Sequence, residues 1–274
     1  MTTTLTPDTR RVTTPAAPAT RSVSLTDTVT QSLTMARRGL LKLKHNPEQL
    51  FDVVIQPLIF TVMFTYIFGG AISGDVASYL PIIIPGILVQ TVITASVVTG
   101  TQLREDMDKG VFDRFKSLPI ARISPLAGAL LSDVVRYTIA TTITFAMGYA
   151  MGYRPDPLGL VVAGLLVIVC AFAISWIFAL MGVLMNKASA VQGISMLILF
   201  PLTFMSNAFV PAHTMPGWMQ AFVNVNPVSH LVTAVRDLTN DGHFGISVVW
   251  SLLGAAVIVV IVAPITVRAY MRKA

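Results

Sequence analysis

Charge is what this sequence has least of. Asp, Glu, Lys and Arg make up 12% of its 274 residues against 54% hydrophobic ones, and the mean hydropathy is +0.73. A soluble domain carries about a quarter charged residues, so a water-exposed globule is excluded and most of the chain belongs in lipid. Cysteine is nearly absent. Cys170 stands alone, which rules out an internal disulfide framework, a thiolate metal site or a redox pair and leaves packing as its role. Catalytic constellations are missing too. Neither HExxH nor GxxxxGK[ST] occurs, so there is no zinc-protease helix and no loop of that kind to cradle nucleotide phosphates. His45, His213, His230 and His243 lack the close spacing of a metal site, and none lies in an apolar run where it could activate a serine. No catalytic residue, metal site or resident cofactor is expected.

What is present is a set of long apolar runs. A spanning helix needs roughly 20 apolar residues to cross ~30 Å of hydrocarbon. Residues 50–69, 79–101, 134–151, 158–185, 191–210 and 246–267 each meet that need. Period-2 strands of a barrel are absent. The expected fold is an all-α integral membrane protein with six transmembrane helices, occupying residues 47–270. Every Lys and Arg except Arg136, Arg154 and Arg236 falls on the side shared by the two termini. The positive-inside rule puts that side in the cytoplasm, and a bacterial plasma membrane is the expected location. The formal charge of +6 thus reflects topology and membrane lipids, not a nucleic-acid partner.

Outside the spans, residues 1–26 are rich in Thr, Pro and Ala and read as a disordered cytoplasmic tail. Within 27–46, Val29, Leu33, Ala36, Leu40 and Leu43 recur at helical spacing, too briefly and among too many charges to span. An amphipathic helix lying in the membrane interface is expected. Segment 211–241 is too apolar for a plain loop and is broken by Pro216 and Pro227. It reads as two short re-entrant or interfacial helices, with Trp218 at headgroup level and Ala221, Phe222, Val225, Leu231, Val232, Val235 and Leu238 dipping into the outer leaflet.

Breaks concentrate in three spans: Gln56 and Pro57 in the first, Pro81, Pro85 and Gln90 in the second, Pro201 in the fifth. Such breaks need protein or a passage on one side to satisfy the freed backbone groups. Asn207, near the end of the fifth span, is open to two readings: glue between helices, or contact with a transported molecule. Asp133 and Arg136, at i and i+3, are expected to form a structural ion pair near the inner end of the third span. With no ionisable residue expected at the centre of a span, an ion-driven carrier is disfavoured, and energy is expected to enter from outside the chain.

The stretch REDMDKGVFDRFKSLPI, between the second and third spans, is where it would enter. Arg104, Glu105, Asp106 and Asp108 precede an amphipathic turn carrying Val111, Phe112, Phe115 and Leu118, which Pro119 ends. Apolar anchors rimmed by charge suit docking into a groove on another protein. A loop helix folded back on its own bundle is the other reading.

Here the sequence resembles a known family. LREDMDKGVFDRFKSLPI is similar to the acidic-rich stretch, ending in Leu–Pro, that forms the coupling helix of type-2 ABC exporter permeases. PLTFMSNAFVPAHTMPGWMQAFVNVNPVSHLVTAVRDL resembles their late block, and residues 27–270 match their order of elements. The resemblance is greatest to the daunorubicin/doxorubicin-resistance permeases. It implies a connecting helix at 27–46 and a coupling helix at 104–119. It also implies a separate ABC ATP-binding subunit that holds ATP and magnesium, and a second permease copy or sister permease in a 2+2 assembly. The pathway would be lined from the first, second and fifth spans, with Phe60, Phe64, Gln90, Met196, Phe200, Phe204 and Asn207 as lining residues. Such apolar walls suit export of a drug or lipid-like amphiphile. Export of a polysaccharide or glycolipid, or a membrane enzyme without a recognised motif, are the alternatives.

Overall fold

The computed structural model describes residues 25–45, 47–111, 121 and 123–273, and all regular structure there is helical. In chain order the elements are α1 (Leu25–His45), α2 (Pro47–Ser73), α3 (Val76–Asp108), α4 (Ser124–Ala150), α5 (Pro157–Leu184), α6 (Ala188–Phe204), α7 (Gly217–Val225), α8 (Pro227–Asp241) and α9 (Ile246–Lys273). Five of these, α2 to α5 and α9, are long and apolar enough to cross a bilayer. The expected tail, 1–26, lies almost wholly outside the described residues.

Helices α2 to α5 alternate in direction and α9 runs parallel to α5, so Asp108, Lys187 and Lys273 gather at one end, here called the basic end, and α7 and α8 lie at the far end. At the centre is α3, apolar on every side, as a helix enclosed by neighbours should be. Ile83, Ile84, Ile87, Leu88 and Val92 on it are wholly buried. Asp75 caps its start by accepting from the Ser78 amide at 2.6 Å, which lowers the Asp75 carboxyl below its ordinary range. At 33 residues it is about 50 Å long, so its last turns run beyond the hydrocarbon. Helix α5 crosses α3 backbone to backbone. A Cβ on Gly182 would sit 2.3 Å from the Gly100 carbonyl oxygen, an approach only glycine permits.

Sequence and structure part company at four places. The fifth expected span, 191–210, is helical as α6 only as far as Phe204, 17 residues in all, about 26 Å. Pro201 and the Ser206 hydroxyl, which bonds back to the Thr203 carbonyl at 2.6 Å, stop it, and the chain then packs Ala208 and Phe209 against α3. Second, Leu231, Val232, Val235 and Leu238 do not reach a leaflet. All four are buried, on a helix that packs against α3, α5 and α9. In this segment the open apolar side chains lie on α7, with Trp218 at 65% exposure and Val225 at 80%. Gly242, at φ 62°, closes α8 in the left-handed conformation.

Third, the stripe on α1 divides. Ser32 and Ala36 are buried and a Cβ on Gly128 would meet Met35 Cβ at 2.4 Å, so small residues let α1 lie against α4. Val29 and Leu33 remain more than half exposed. Fourth, α4 starts ten residues before the apolar window at Val134, with consequences for Asp133 and Arg136 described below.

Candidate functional site

At the basic end, Arg104, Glu105, Asp106 and Asp108 sit on the last turns of α3, continuous with the central helix, and not on a separate one. Lys109 ends α3, Gly110 turns the chain at φ 64° and Val111 is helical again. Phe112, Phe115 and Leu118 lie outside the described residues. Arg104 is held on two sides. Its Nε donates to Asp108 Oδ1 at 2.9 Å and its Nη1 to the Met185 carbonyl at 2.9 Å. Lys273 Nζ donates to the Val183 carbonyl at 2.6 Å, so two cations meet the negative end of the α5 dipole. Among the described residues Glu105 pairs with Lys109, at 3.4 Å, and its side chain stays exposed. Just before α4, the Ala121 amide donates to Gln31 Oε1 at 2.7 Å. That bond ties the chain entering α4 to α1.

The far end is held by polar side chains from α8. Pro85 has no N–H to offer the Pro81 carbonyl, and Asn240 Nδ2 donates to that oxygen instead, at 3.1 Å. Arg236 donates through Nη2 to the carbonyls of Ile82, Asn207 and Ala208. Burial pulls its guanidinium down to about 10, which leaves it charged at neutral pH. Asn207 spends its Nδ2 on Thr233 Oγ1 at 2.8 Å. The geometry places it in the seam between the end of α6 and α8, with its buried Oδ1 unpartnered among the described residues.

Along α2 and α6 the phenylalanines form a ladder. Phe60 stacks on Phe64 at 5.7 Å between centroids and Phe64 on Phe68 at 5.4 Å; Phe200 stacks on Phe204 at 4.4 Å. Phe209 joins the two runs, 4.7 Å from Phe64 and 5.2 Å from Phe204. Sequence reading found four of these rings and missed Phe68 and Phe209. Phe68 continues an i, i+4 series, whereas Phe209 lies beyond the end of α6 in a loop whose path no periodicity describes. Phe200 is 62% exposed, and Phe204 and Met196 are more than a third exposed.

Between α2, α3, α4 and α6 lies a cavity of about 220 Å³, whose wall includes Gln56, Thr91, Thr94, Arg136, Gln192 and Met196. Gln90 is buried on α3 but is not on this wall; its neighbour Thr91 is. The ion pair is present, with Arg136 Nη1 2.7 Å from Asp133 Oδ1 and Thr99 Oγ1 donating to Asp133 Oδ2. Because α4 begins at Ser124, Asp133 and Arg136 lie about midway along the helix, and both are almost completely buried.

The pattern of the ABC-2 type transporter family matches residues 30–239. The chain is 47% identical over 249 residues to a daunorubicin resistance ABC transporter permease of Streptomyces coeruleorubidus, covering 89% of this chain and 87% of the relative. It is 29% identical over 203 residues, 70% of each chain, to a doxorubicin resistance ABC transporter permease of Mycobacterium tuberculosis. A putative transport permease of Cyanophora paradoxa is 26% identical over 209 residues, 74% of this chain and 72% of that one. With its apolar helical bundle and a match over most of its length, the chain belongs to the ABC-2 type transporter family and is a multi-pass membrane permease.

Proposed function

We propose that this chain is the membrane subunit of an ATP-driven exporter that carries a hydrophobic or amphiphilic small molecule out of the cell. The observation that carries the reading is the half-open phenylalanine ladder on α2 and α6, an adaptable apolar track with few hydrogen-bonding groups. The relatives' names, daunorubicin and doxorubicin resistance permeases, support a drug-like cargo. ATP and magnesium belong to a separate ABC ATP-binding subunit in this reading, and two such subunits join two permeases. Force reaches the bundle through Arg104–Asp108 and the segment after it, which makes α3 the lever. The termini and the basic end face the cytoplasm.

The test is to co-express the chain with its ATPase, solubilise both mildly and follow vanadate-sensitive ATP hydrolysis with daunorubicin. Co-purification and drug-stimulated hydrolysis are expected. Glu105→Ala should lower the stimulation several-fold with membrane insertion intact, since among the described residues Glu105 makes an exposed i, i+4 pair. A chain that binds no ATPase, or a Glu105→Ala variant fully stimulated by drug, contradicts the reading.

A further inference from the structure

The cavity and the ladder share a register. On α2, Gln56, Phe60, Phe64 and Phe68 are spaced by four; on α6, Gln192, Met196, Phe200 and Phe204 are spaced by four. Residues four apart lie on one face of a helix, and both helices run from the basic end toward the far end. Each therefore presents a glutamine first and apolar side chains after it, Phe60 on α2 and Met196 on α6 and then further phenylalanines. The two glutamines converge on the cavity, and the rings above them stack.

The chemistry of the cavity is specific. Arg136 on its wall is 97% buried, being 3% exposed, and its Nε has no hydrogen-bond partner. An arginine offers donors only, so what is missing there is an acceptor oxygen. The charge is already balanced, because Asp133 lies against the guanidinium. A further ion would bring uncompensated charge into a site of low dielectric, whereas an uncharged carbonyl or hydroxyl would not. Gln56, Gln192, Thr91 and Thr94 can both donate to and accept from such a group. Size sets the other limit. At about 220 Å³ the cavity falls below the ~300–1,000 Å³ of sites that enclose a drug-sized ligand. It has room for the polar end of a molecule, and the rest must lie elsewhere.

We propose that cavity and ladder form one graded site, which takes an uncharged oxygen-bearing group at Arg136, Gln56 and Gln192 and lays the apolar body of the same amphiphile along the phenylalanines. This rests on the exporter reading and narrows its cargo to amphiphiles whose buried polar end is neutral.

The test uses benzophenone, a neutral diaryl ketone that cross-links on illumination, beside its anionic analogue 4-benzoylbenzoate and its cationic analogue (4-benzoylbenzyl)trimethylammonium. The full-length chain in phosphatidylcholine nanodiscs is labelled and the adducts are mapped by mass spectrometry. Saturable benzophenone labelling on α3 near Thr91–Val98 and on α6 near Met196–Phe200 is expected, with half-saturation at least tenfold higher for either charged analogue. Arg136→Lys keeps a cation beside Asp133 but removes the Nε donor, and it should raise half-saturation about tenfold. Gln192→Leu, which leaves the ion pair intact, should do the same. Tighter labelling by a charged analogue, wild-type labelling of both variants, or labelling spread without saturation over the lipid-exposed α9 would each overturn the proposal; the last would mean simple partition into lipid. No ATPase is present, so a failure of drug-stimulated hydrolysis would remove the exporter reading and leave this site standing.

Discussion

At Arg236 one guanidinium nitrogen donates to three backbone carbonyls, of Ile82, Asn207 and Ala208, at 2.8, 2.7 and 3.0 Å. Those oxygens belong to the Pro-broken part of α3 and to the loop after α6, so the side chain closes two irregular backbones at once. Each buried acceptor left without a donor costs ~1–3 kcal/mol. Arg236→Met is therefore expected to cost at least ~3 kcal/mol, read as a lower midpoint of thermal unfolding in mild detergent. Arg236→Lys should recover only part of it, because an ammonium lacks the planar fork. An unchanged midpoint for Arg236→Met would contradict this role. Sequence reading counted Arg236 among the basic residues of the outer side, and no local pattern pairs it with carbonyls that lie about 30 and 150 residues away. The glutamine–phenylalanine register was, by contrast, open to inspection. Gln56 and Phe60, like Gln192 and Met196, stand four apart; what could not be read was that the two faces meet.

Among the elements, the crossing of α3 and α5 depends on Gly100 and Gly182. A Cβ at Gly182 would lie 2.3 Å from the Gly100 oxygen, and one at Gly100 would lie 2.2 Å from the Phe178 oxygen. Backbone cannot rotate aside as a side chain can, so Gly182→Val should part the helices and destabilise by ~1–3 kcal/mol. At Gly254 in α9 a Cβ would point into open space, with nothing within 4 Å. There Gly254→Ala should be neutral or stabilising by up to ~1 kcal/mol, from helix propensity alone. Thermal unfolding of the two variants side by side checks the contrast, and equal shifts would contradict it. Hydropathy located the long helices well, because burial in lipid and burial in protein both demand apolar residues. For the same reason it misjudged α8, whose apolar face meets α3, α5 and α9. It also carried the fifth helix past Phe204, where Ala208 and Phe209 are apolar because they pack into the core against α3.

For the whole molecule, burial sharpens the charge asymmetry between the two ends. Of the three basic residues that stand apart from the termini's side, Arg136 is buried in α4 and Arg236, partly buried, is bonded to carbonyls of α3 and of the loop after α6. Neither stands as a free loop charge. That leaves Arg154 as the exposed cation at the far end among the described residues, and it is itself engaged with the Tyr149 ring at 4.1 Å. The basic end keeps Lys109, Lys187, Arg272 and Lys273. Insertion responds to Lys and Arg flanking the spans, so this difference predicts one orientation, with the basic end in the cytoplasm. Cys170, the only cysteine, is buried in α5, so a Cys170→Ala background gives a blank on which single reporters can be placed. Asn186→Cys sits exposed between α5 and α6 at the basic end, and His243→Cys sits exposed between α8 and α9 at the far end. A membrane-impermeant maleimide added to intact cells should label His243→Cys and should reach Asn186→Cys only after permeabilisation. The reverse pattern would invert the molecule, putting Arg104–Asp108 outside the cell and out of reach of any cytoplasmic ATPase.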